Sequence, residues 1–487
     1  MDKRAPIFYS LIKHSKKKAV SFHVPGHKMG KGFNPLGKKV FKEIMNIDMT
    51  EITGLDDLHQ PEDIILESQK NAARIFRSDH TFYLINGSTS GNLAMILATC
   101  KPGDKIIVQR NVHKSVINGL FLAKAEPIYI FPEIITSLEI PGSIQISDLE
   151  NLLKKHGDIK AVFIMNPNYY GIGIDISEMA DLVHKYRIPL LVDEAHGAHF
   201  GFHPQFPKSS IDMGADVVVQ STHKTLSAMT MGSMLHVNSN LIDIDRIKLF
   251  LAIVQSSSPS YPIMASLELT SNWIENEGKN LWKKQLLAIN WLYERTRSLK
   301  NICIIEKIND NHYKDPLKVI IQSKTTKLTG FEIQHLLEED GIFTELADFN
   351  NVLAIISFGN KFKDIARLKK SLIKIDSKLS KLLVANGKVE NSPLKMDKYY
   401  INNKGSVVTL EKVLYSQYKS RPLYASIGEI SYEMVIPYPP GVPIISYGEE
   451  ITKEAVDYLI ELKNKGVKFQ GVKDKSLKYI RVLERDI

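Results

Sequence analysis

A lysine that ends a short buried run can carry covalent chemistry. Here Ala215-Asp216-Val217-Val218-Val219-Gln220 leads straight into Ser221-Thr222-His223-Lys224. The apolar run reads as a strand, and the tetrapeptide falls at its mouth. An ε-amine there, beside hydroxyls and an imidazole, suits a Schiff base to pyridoxal phosphate (PLP), with the small polar neighbours reaching the phosphate. The bland alternative is a polar turn with a solvated lysine. Two further segments favour the cofactor. Asn86-Gly87-Ser88-Thr89-Ser90-Gly91-Asn92 lies between a strand and a helix predicted to start near Ser90. Unpaired N–H groups and hydroxyls at a helix N-terminus suit a phosphate. This turn lacks the Gly-Lys-[Ser/Thr] ending of a nucleotide loop, and the chain has no GxGxxG. Asp193 ends the apolar run Leu190-Leu191-Val192. A carboxylate there can keep a pyridine nitrogen protonated, which makes the ring an electron sink.

Other polar clusters carry weaker signals. His113 follows the run Lys105–Val108, where an imidazole could stack on the cofactor ring or be a hydrogen-bonded structural residue. Asp193-Glu194-Ala195-His196-Gly197-Ala198-His199 invites a zinc reading, but Gly197 weakens a helix and no third ligand stands at a recognised spacing. No metal is expected. Cys100 and Cys303 show neither metal nor redox spacing. The net charge of +9 raises nucleic acid as a partner. The basic runs, such as Lys16-Lys17-Lys18, have no interleaved aromatic platform and read as solvated faces.

The elements that must position these residues follow from periodicity. Predicted strands are Thr81–Ile85, Lys105–Val108, Pro127–Phe131, Ala161–Met165, Pro189–Val192, Asp216–Val219 and Met234–Val237. Helical patterns lie between them, including Asp148–His156 with Ser147 and Glu150 as a capping box. Continuous apolar strands alternating with helices predict an α/β fold, a mostly parallel central sheet with helices on both faces. Ligands of such sheets sit beyond the carboxyl ends of the strands. A long helical region covers about 262–300. A smaller α+β stretch follows, with a helix opened by Thr329 and Glu332 and closed by Gly341 as its C-cap. The organisation predicted is an arm (1–55), a large domain (56–300), a small α+β domain (301–384) and a C-terminal domain (385–487), with Ala385–Pro393 as linker or exposed loop. With 44% apolar and 24% charged residues and no apolar run of membrane length, the chain reads as cytoplasmic and not membrane-bound.

The segments in order are phosphate turn, ring-stacking residue, pyridine aspartate and Schiff-base lysine, the order of fold-type I PLP enzymes. The chain resembles the Orn/Lys/Arg decarboxylase family in its short form. The matching pieces are Phe22-His23-Val24-Pro25-Gly26-His27-Lys28, Leu55-Asp56-Asp57-Leu58, Asn86-Gly87-Ser88-Thr89-Ser90, Arg110-Asn111-Val112-His113-Lys114-Ser115, Asp193-Glu194-Ala195-His196-Gly197, Ser221-Thr222-His223-Lys224, Gln255-Ser256-Ser257-Ser258-Pro259-Ser260-Tyr261 and Pro437-Tyr438-Pro439-Pro440-Gly441. The resemblance implies Lys224 as the Schiff-base lysine, Asp193 on the pyridine nitrogen and His113 on the ring. It implies Ser88, Thr89, Ser221 and His223 at the phosphate, and His196 among the cofactor ligands. Ser256–Ser258, with Ser257 and Ser258 named as cofactor ligands, would reach the phosphate of a partner subunit, which implies a homodimer or higher homo-oligomer. The family's Pro-Gly-Glu reads Tyr447-Gly448-Glu449 here.

Together these imply α-decarboxylation of a basic amino acid, with Lys224 or His223 returning the proton to Cα. Arginine, giving agmatine for polyamine synthesis, is the first expectation, lysine the second and ornithine the third. Asp56, Asp57, Glu433 and Glu449 are the candidates for the substrate's distal cation. An aminotransferase would want a carboxylate-binding arginine, and Arg367, the nearest, reads as helical and exposed. A non-catalytic PLP-binding scaffold is opposed by the intact Asp193 and Lys224.

Overall fold

The computed structural model describes residues 4–17, 19–309, 311–324, 328–386, 408–438 and 441–484. Residues 387–393 of the expected linker, and Pro439 and Pro440 of the proline-rich segment, lie outside the described residues. The chain forms two compact units, Met1–Thr99 with Ile176–Trp282 (unit 1) and Cys100–Asp175 with Lys283–Ile487 (unit 2).

Seven strands carry the chemistry-bearing loops: β1 (His80–Leu84), β2 (Lys105–Gln109), β3 (Glu126–Ile130), β4 (Ile159–Met165), β5 (Leu190–Asp193), β6 (Val217–Gln220) and β7 (Ser233–Val237). In unit 1 they lie in the order β1-β7-β6-β5, and in unit 2 in the order β4-β2-β3. The pairs β5–β6, β2–β4 and β2–β3 are parallel, and β7 runs antiparallel to both β6 and β1. Val217, Val218 and Val219 are fully buried, which explains the unbroken β-branched run where an alternating one would mark a sheet with one wet face.

Unit 1 brings the phosphate-type turn onto these strands through one glycine. The helix Gly87–Thr99 follows β1 after only Ile85 and Asn86. It starts at Gly87 rather than near Ser90, because Gly87 adopts φ +75° and turns strand into helix within two residues. Ser88 and Thr89 therefore sit in the first helical turn. Gly91 presses this helix onto the sheet: a Cβ there would lie 2.6 Å from Val219 Cγ2 and 2.8 Å from Leu84 Cδ1.

Unit 2 adds a four-stranded antiparallel sheet, with β8 (Ile302–Ile305), β9 (Lys318–Ser323), β10 (Leu346–Ala347) and β11 (Asn351–Ile355) in the order β8-β9-β11-β10. Its helix Gly330–Glu339 has the predicted capping box from Thr329 and Glu332. Asp340 is its C-cap, and Gly341 takes the left-handed position one residue later, at φ +70°. The Ser147 cap is not formed. That helix is Ile146–Lys155 with Gln145 at its start, so Ser147 lies inside it, and Asp148 supplies the first-turn negative charge instead. The last segment pairs Tyr418–Pro422 with Tyr479–Leu483 and packs the helix Lys453–Asn464 into an apolar core around Val435, Ile451 and Leu459. No helix among the described residues is long and apolar enough to cross a membrane.

Gly91→Ala tests the close approach. The added methyl group must displace Val219 or Leu84, and we expect a loss of about 1–3 kcal/mol in denaturant unfolding, with weaker retention of PLP by the purified protein. An unchanged unfolding midpoint would contradict the packing described.

Candidate functional site

The site in unit 1 is built where two parallel neighbours end. The β5–β6 register pairs Asp193 with Val219, so Asp193 stands two positions below Ser221 on the adjacent strand. Asp193 is 4% exposed, and its Oδ2 accepts Asn92 Nδ2 at 2.8 Å while Oδ1 accepts the Ala195 N–H at 3.0 Å. These two donors fix the carboxylate's plane. Asn92, 1% exposed, is a partner of this candidate residue that sequence reasoning quoted within the turn but left out of the site. The signal was available: an amide on the buried side of a largely apolar helix needs a polar partner.

β6 passes into a single helical turn, Thr222–Thr225, which presents Lys224. Lys224 Nζ lies 3.2 Å from His196 Nε2, and His196 stands three residues beyond Asp193. Amine, imidazole and carboxylate thus arise from the ends of two hydrogen-bonded strands. His223 does not point its Nδ1 at the phosphate turn; that atom meets the Gly232 carbonyl at 2.9 Å. Nδ1 therefore carries an N–H that donates to this carbonyl. Ser221 Oγ donates to Ser88 Oγ at 2.9 Å, joining the β6 turn to the first turn of the helix Gly87–Thr99.

This donor set fits PLP. Thr222 and Thr225 are fully buried, yet among the described residues neither hydroxyl has a hydrogen-bond partner. An orphaned hydroxyl at 0% exposure costs stability unless a ligand takes it up. Ser221, the residue before Thr222, meets Ser88 in the first turn of the helix Gly87–Thr99, and these two hydroxyls at a helix N-terminus are suited to an anion. An amine-reactive carbon would meet Lys224, and a protonated ring nitrogen would meet Asp193. Among the described residues no three His, Cys, Asp or Glu side chains group as a metal site. His199 instead packs against Phe200, Phe206 and Trp282.

A buried polar chain lies across the strands next to Asp193. Glu194, fully buried, accepts Ser210 N–H at 2.8 Å, Ser210 Oγ at 2.7 Å and Gln220 Nε2 at 2.6 Å. Gln220 Oε1 meets His236 Nε2 at 3.2 Å, and His236 Nδ1 meets Thr81 Oγ1 at 2.8 Å. The chain therefore runs from β5 through β6 and β7 to β1. Burial pushes the Glu194 carboxyl up to about 8 and the His236 imidazole down to about 3.

The remaining predicted residues are placed individually. Thr89 is exposed in its helical turn, and Ser257 and Ser258 are exposed beside Ser256, whose carbonyl meets His59 Nε2 at 2.9 Å. In unit 2, His113 caps the helix Lys114–Ala123, its Nδ1 2.8 Å from Ser115 Oγ. Three of the four carboxylates considered for the substrate are occupied by the fold. Asp56 accepts backbone N–H groups from Asp57, Glu62, Asp63 and Ile65, and so secures the entry to the helix Ile64–Phe76. Glu433 accepts Arg481 Nε at 2.8 Å and the N–H groups of Lys473 and Arg481. Glu449 forms a bidentate pair with Arg110, Nε–Oε1 2.8 Å and Nη2–Oε2 2.7 Å, both residues being 1% exposed. The Arg110 guanidinium also donates to the carbonyls of Pro443 and Ile444, tying the proline-rich segment to the end of β2. Asp57 alone of the four is exposed, and its Oδ1 accepts the His59 N–H at 2.8 Å.

Comparison with known proteins places this geometry. Residues 5–364 match the family model described as Orn/Lys/Arg decarboxylase, major domain, and residues 406–476 match its C-terminal domain. The chain is 40% identical to the uncharacterised protein YaaO of Bacillus subtilis, over 97% of this chain and 98% of that one. It is 35% identical to the arginine decarboxylase of Bacillus subtilis, over 98% of each. The lysine decarboxylase LdcF of Francisella novicida superposes with a TM-score of 0.84 at 23% identity, over 99% of this chain and 82% of that one. The fold is that of the fold-type I PLP enzymes.

His236 gives a pH test of the buried chain. The unfolded imidazole takes up a proton below about 6.5, whereas the folded one resists it down to about 3. The folded state thus binds fewer protons in that window, and stability falls as the pH falls through it. Between pH 6.5 and 5 this amounts to about 2 kcal/mol. In urea unfolding at pH 8 and pH 5, His236→Gln should lose correspondingly less stability than the parent; equal losses would refute the buried neutral imidazole.

Proposed function

This chain belongs to the Orn/Lys/Arg decarboxylase family, and from that premise we propose that it removes the α-carboxylate of L-arginine, releasing agmatine and CO₂. PLP is its cofactor and a basic amino acid its substrate class. The observation that carries the reaction type is the meeting of Lys224 and His196 one strand away from a doubly anchored Asp193. The choice of arginine rests on the 35% full-length identity to a named arginine decarboxylase, against 23% to the superposed lysine enzyme.

When bound, PLP supplies an electron sink for the pair left at Cα as CO₂ departs. Lys224 would hold the cofactor through its ε-amine, the group with which a substrate amine can exchange. Asp193 keeps the ring nitrogen protonated, and Asn92 with the Ala195 N–H prevents the carboxylate from turning away. Ser88, Ser221 and Thr222 would hold the phosphate at the head of the helix Gly87–Thr99 and so anchor the far end. Lys224 returns one proton to Cα, with His196, 3.2 Å from its Nζ, as the group that can resupply it. The balance is one substrate and one proton in, one amine and one CO₂ out.

The exposed Ser256–Ser258 segment suits a role across a homodimer, reaching the phosphate of a second copy. Asp57 is left as the carboxylate for the distal guanidinium. The aminotransferase reading gains no support from Arg367, whose Nη2 donates to the Asp340 carbonyl at 2.5 Å.

Competition decides the substrate. Purified protein loaded with PLP is given arginine, lysine and ornithine together, and the amines are quantified. We expect agmatine in excess, no amine from Lys224→Ala, and loss of that variant's visible cofactor absorbance. Cadaverine in excess would replace arginine by lysine; no amine from any of the three would end the proposal.

A further inference from the structure

We propose that a cavity inside unit 2 is a binding site for a small organic cation, an unbranched amine or guanidine. Its volume is about 100 Å³, and every residue lining it belongs to unit 2. Tyr169, Tyr170, Phe331, Phe349 and Tyr458 give it aromatic walls, and Glu139 and Asp348 give it carboxylates. Among the described residues no lysine or arginine lines it. In a chain of net charge +9, a lining of acids and rings without a base opposes the global field and selects a cation.

Asp348 is the most heavily hydrogen-bonded carboxylate of this lining. The N–H groups of Asn350 and Asn351 each reach Oδ1 at 2.7 Å, the Asn351 amide reaches both oxygens, and the Tyr170 hydroxyl donates to Oδ2. A carboxylate can accept all of these, and each of these partners is neutral. They hold the charge in place without cancelling it. Burial still pushes the carboxyl up, and those donors oppose the rise. A cation in the cavity would keep the carboxylate ionised. The Tyr170 hydroxyl, by donating to a carboxylate, also shifts electron density into its ring, which strengthens that ring's attraction for positive charge.

One further contact agrees. Asn350 Nδ2 donates to Glu139 Oε2 at 2.8 Å, so one residue couples both carboxylates. Glu139 keeps a left-handed backbone at φ +53°, a conformation that a non-glycine residue holds only where its surroundings enforce it. The Lys465 ammonium takes one face of the Phe349 ring, 3.3 Å from its centroid, which leaves Tyr169, Tyr170, Phe331 and Tyr458 as the rings open to a ligand. Ile140, Met165, Leu462 and Val467 would cover the methylenes of an aliphatic ligand.

The test is calorimetric titration of the PLP-loaded protein with agmatine, repeated with Glu139→Gln, Phe331→Ala and Val467→Trp. The first variant removes charge, the second a ring, and the third fills the half-buried edge. Circular dichroism and cofactor absorbance verify that each is folded. Beside the binding of agmatine at the catalytic site, which these variants leave in place, we expect one further event in the parent to weaken roughly tenfold or more in every folded variant, and n-hexanol, the uncharged probe, to give no such event. Agmatine binding of the same stoichiometry and affinity in the parent and the folded variants would overturn the site. A protein that bound agmatine here yet made none from arginine would keep this site and lose the reaction proposed above.

Discussion

The parallel pairing of β5 with β6 is the constraint on which the site depends. It sets Asp193 opposite Val219, and two residues later the second strand turns into the helical step that carries Lys224. Neither residue can shift along its strand without moving the other. Val217, Val218 and Val219 are fully buried, so sliding the register would expose or overpack the core. The distance between the two strand ends is therefore a property of the sheet, and loop flexibility has little influence on it.

Polar groups buried around this pairing refine the position it sets. Asn92 grips Asp193 from the helix, and the chain from Ser210 through Glu194, Gln220 and His236 to Thr81 crosses four strands. Such groups destabilise a core unless each finds its partner, and here they do so in series. In unit 2 the Arg110–Glu449 pair has the same character. Removing one partner of a buried pair of this kind costs about 3–5 kcal/mol, which explains why a carboxylate near a family motif is held by an internal arginine. The buried hydroxyls of Thr222 and Thr225 depart from the pattern, with no hydrogen-bond partner among the described residues.

Much of this was legible in the residues. The strand positions followed from β-branched runs, and the capping box at Thr329 followed from spacing alone. The joint order of Ser88, Asp193 and Lys224 led to the cofactor, and the family models agree with it. What the sequence hid was long-range pairing. Asp56 and Glu449 read as charges open to a substrate, because backbone donors and an arginine 339 positions away cannot be seen in one dimension. Asn92 signalled its need for a polar partner by its place on a largely apolar helix, and only the identity of that partner, Asp193, was hidden. The early start at Gly87 was missed because a left-handed glycine can open a helix as well as close one.

The most direct measurement is chemical fixation of the cofactor on the protein. The PLP-loaded chain is reduced with borohydride, digested and mapped by mass spectrometry, alongside Asp193→Ala. The account predicts a phosphopyridoxyl group on Lys224 and on no other lysine in the parent, with much less of it in the variant because the ring nitrogen has lost its partner. A label on a different lysine, or one on Lys224 that is indifferent to Asp193, would contradict it.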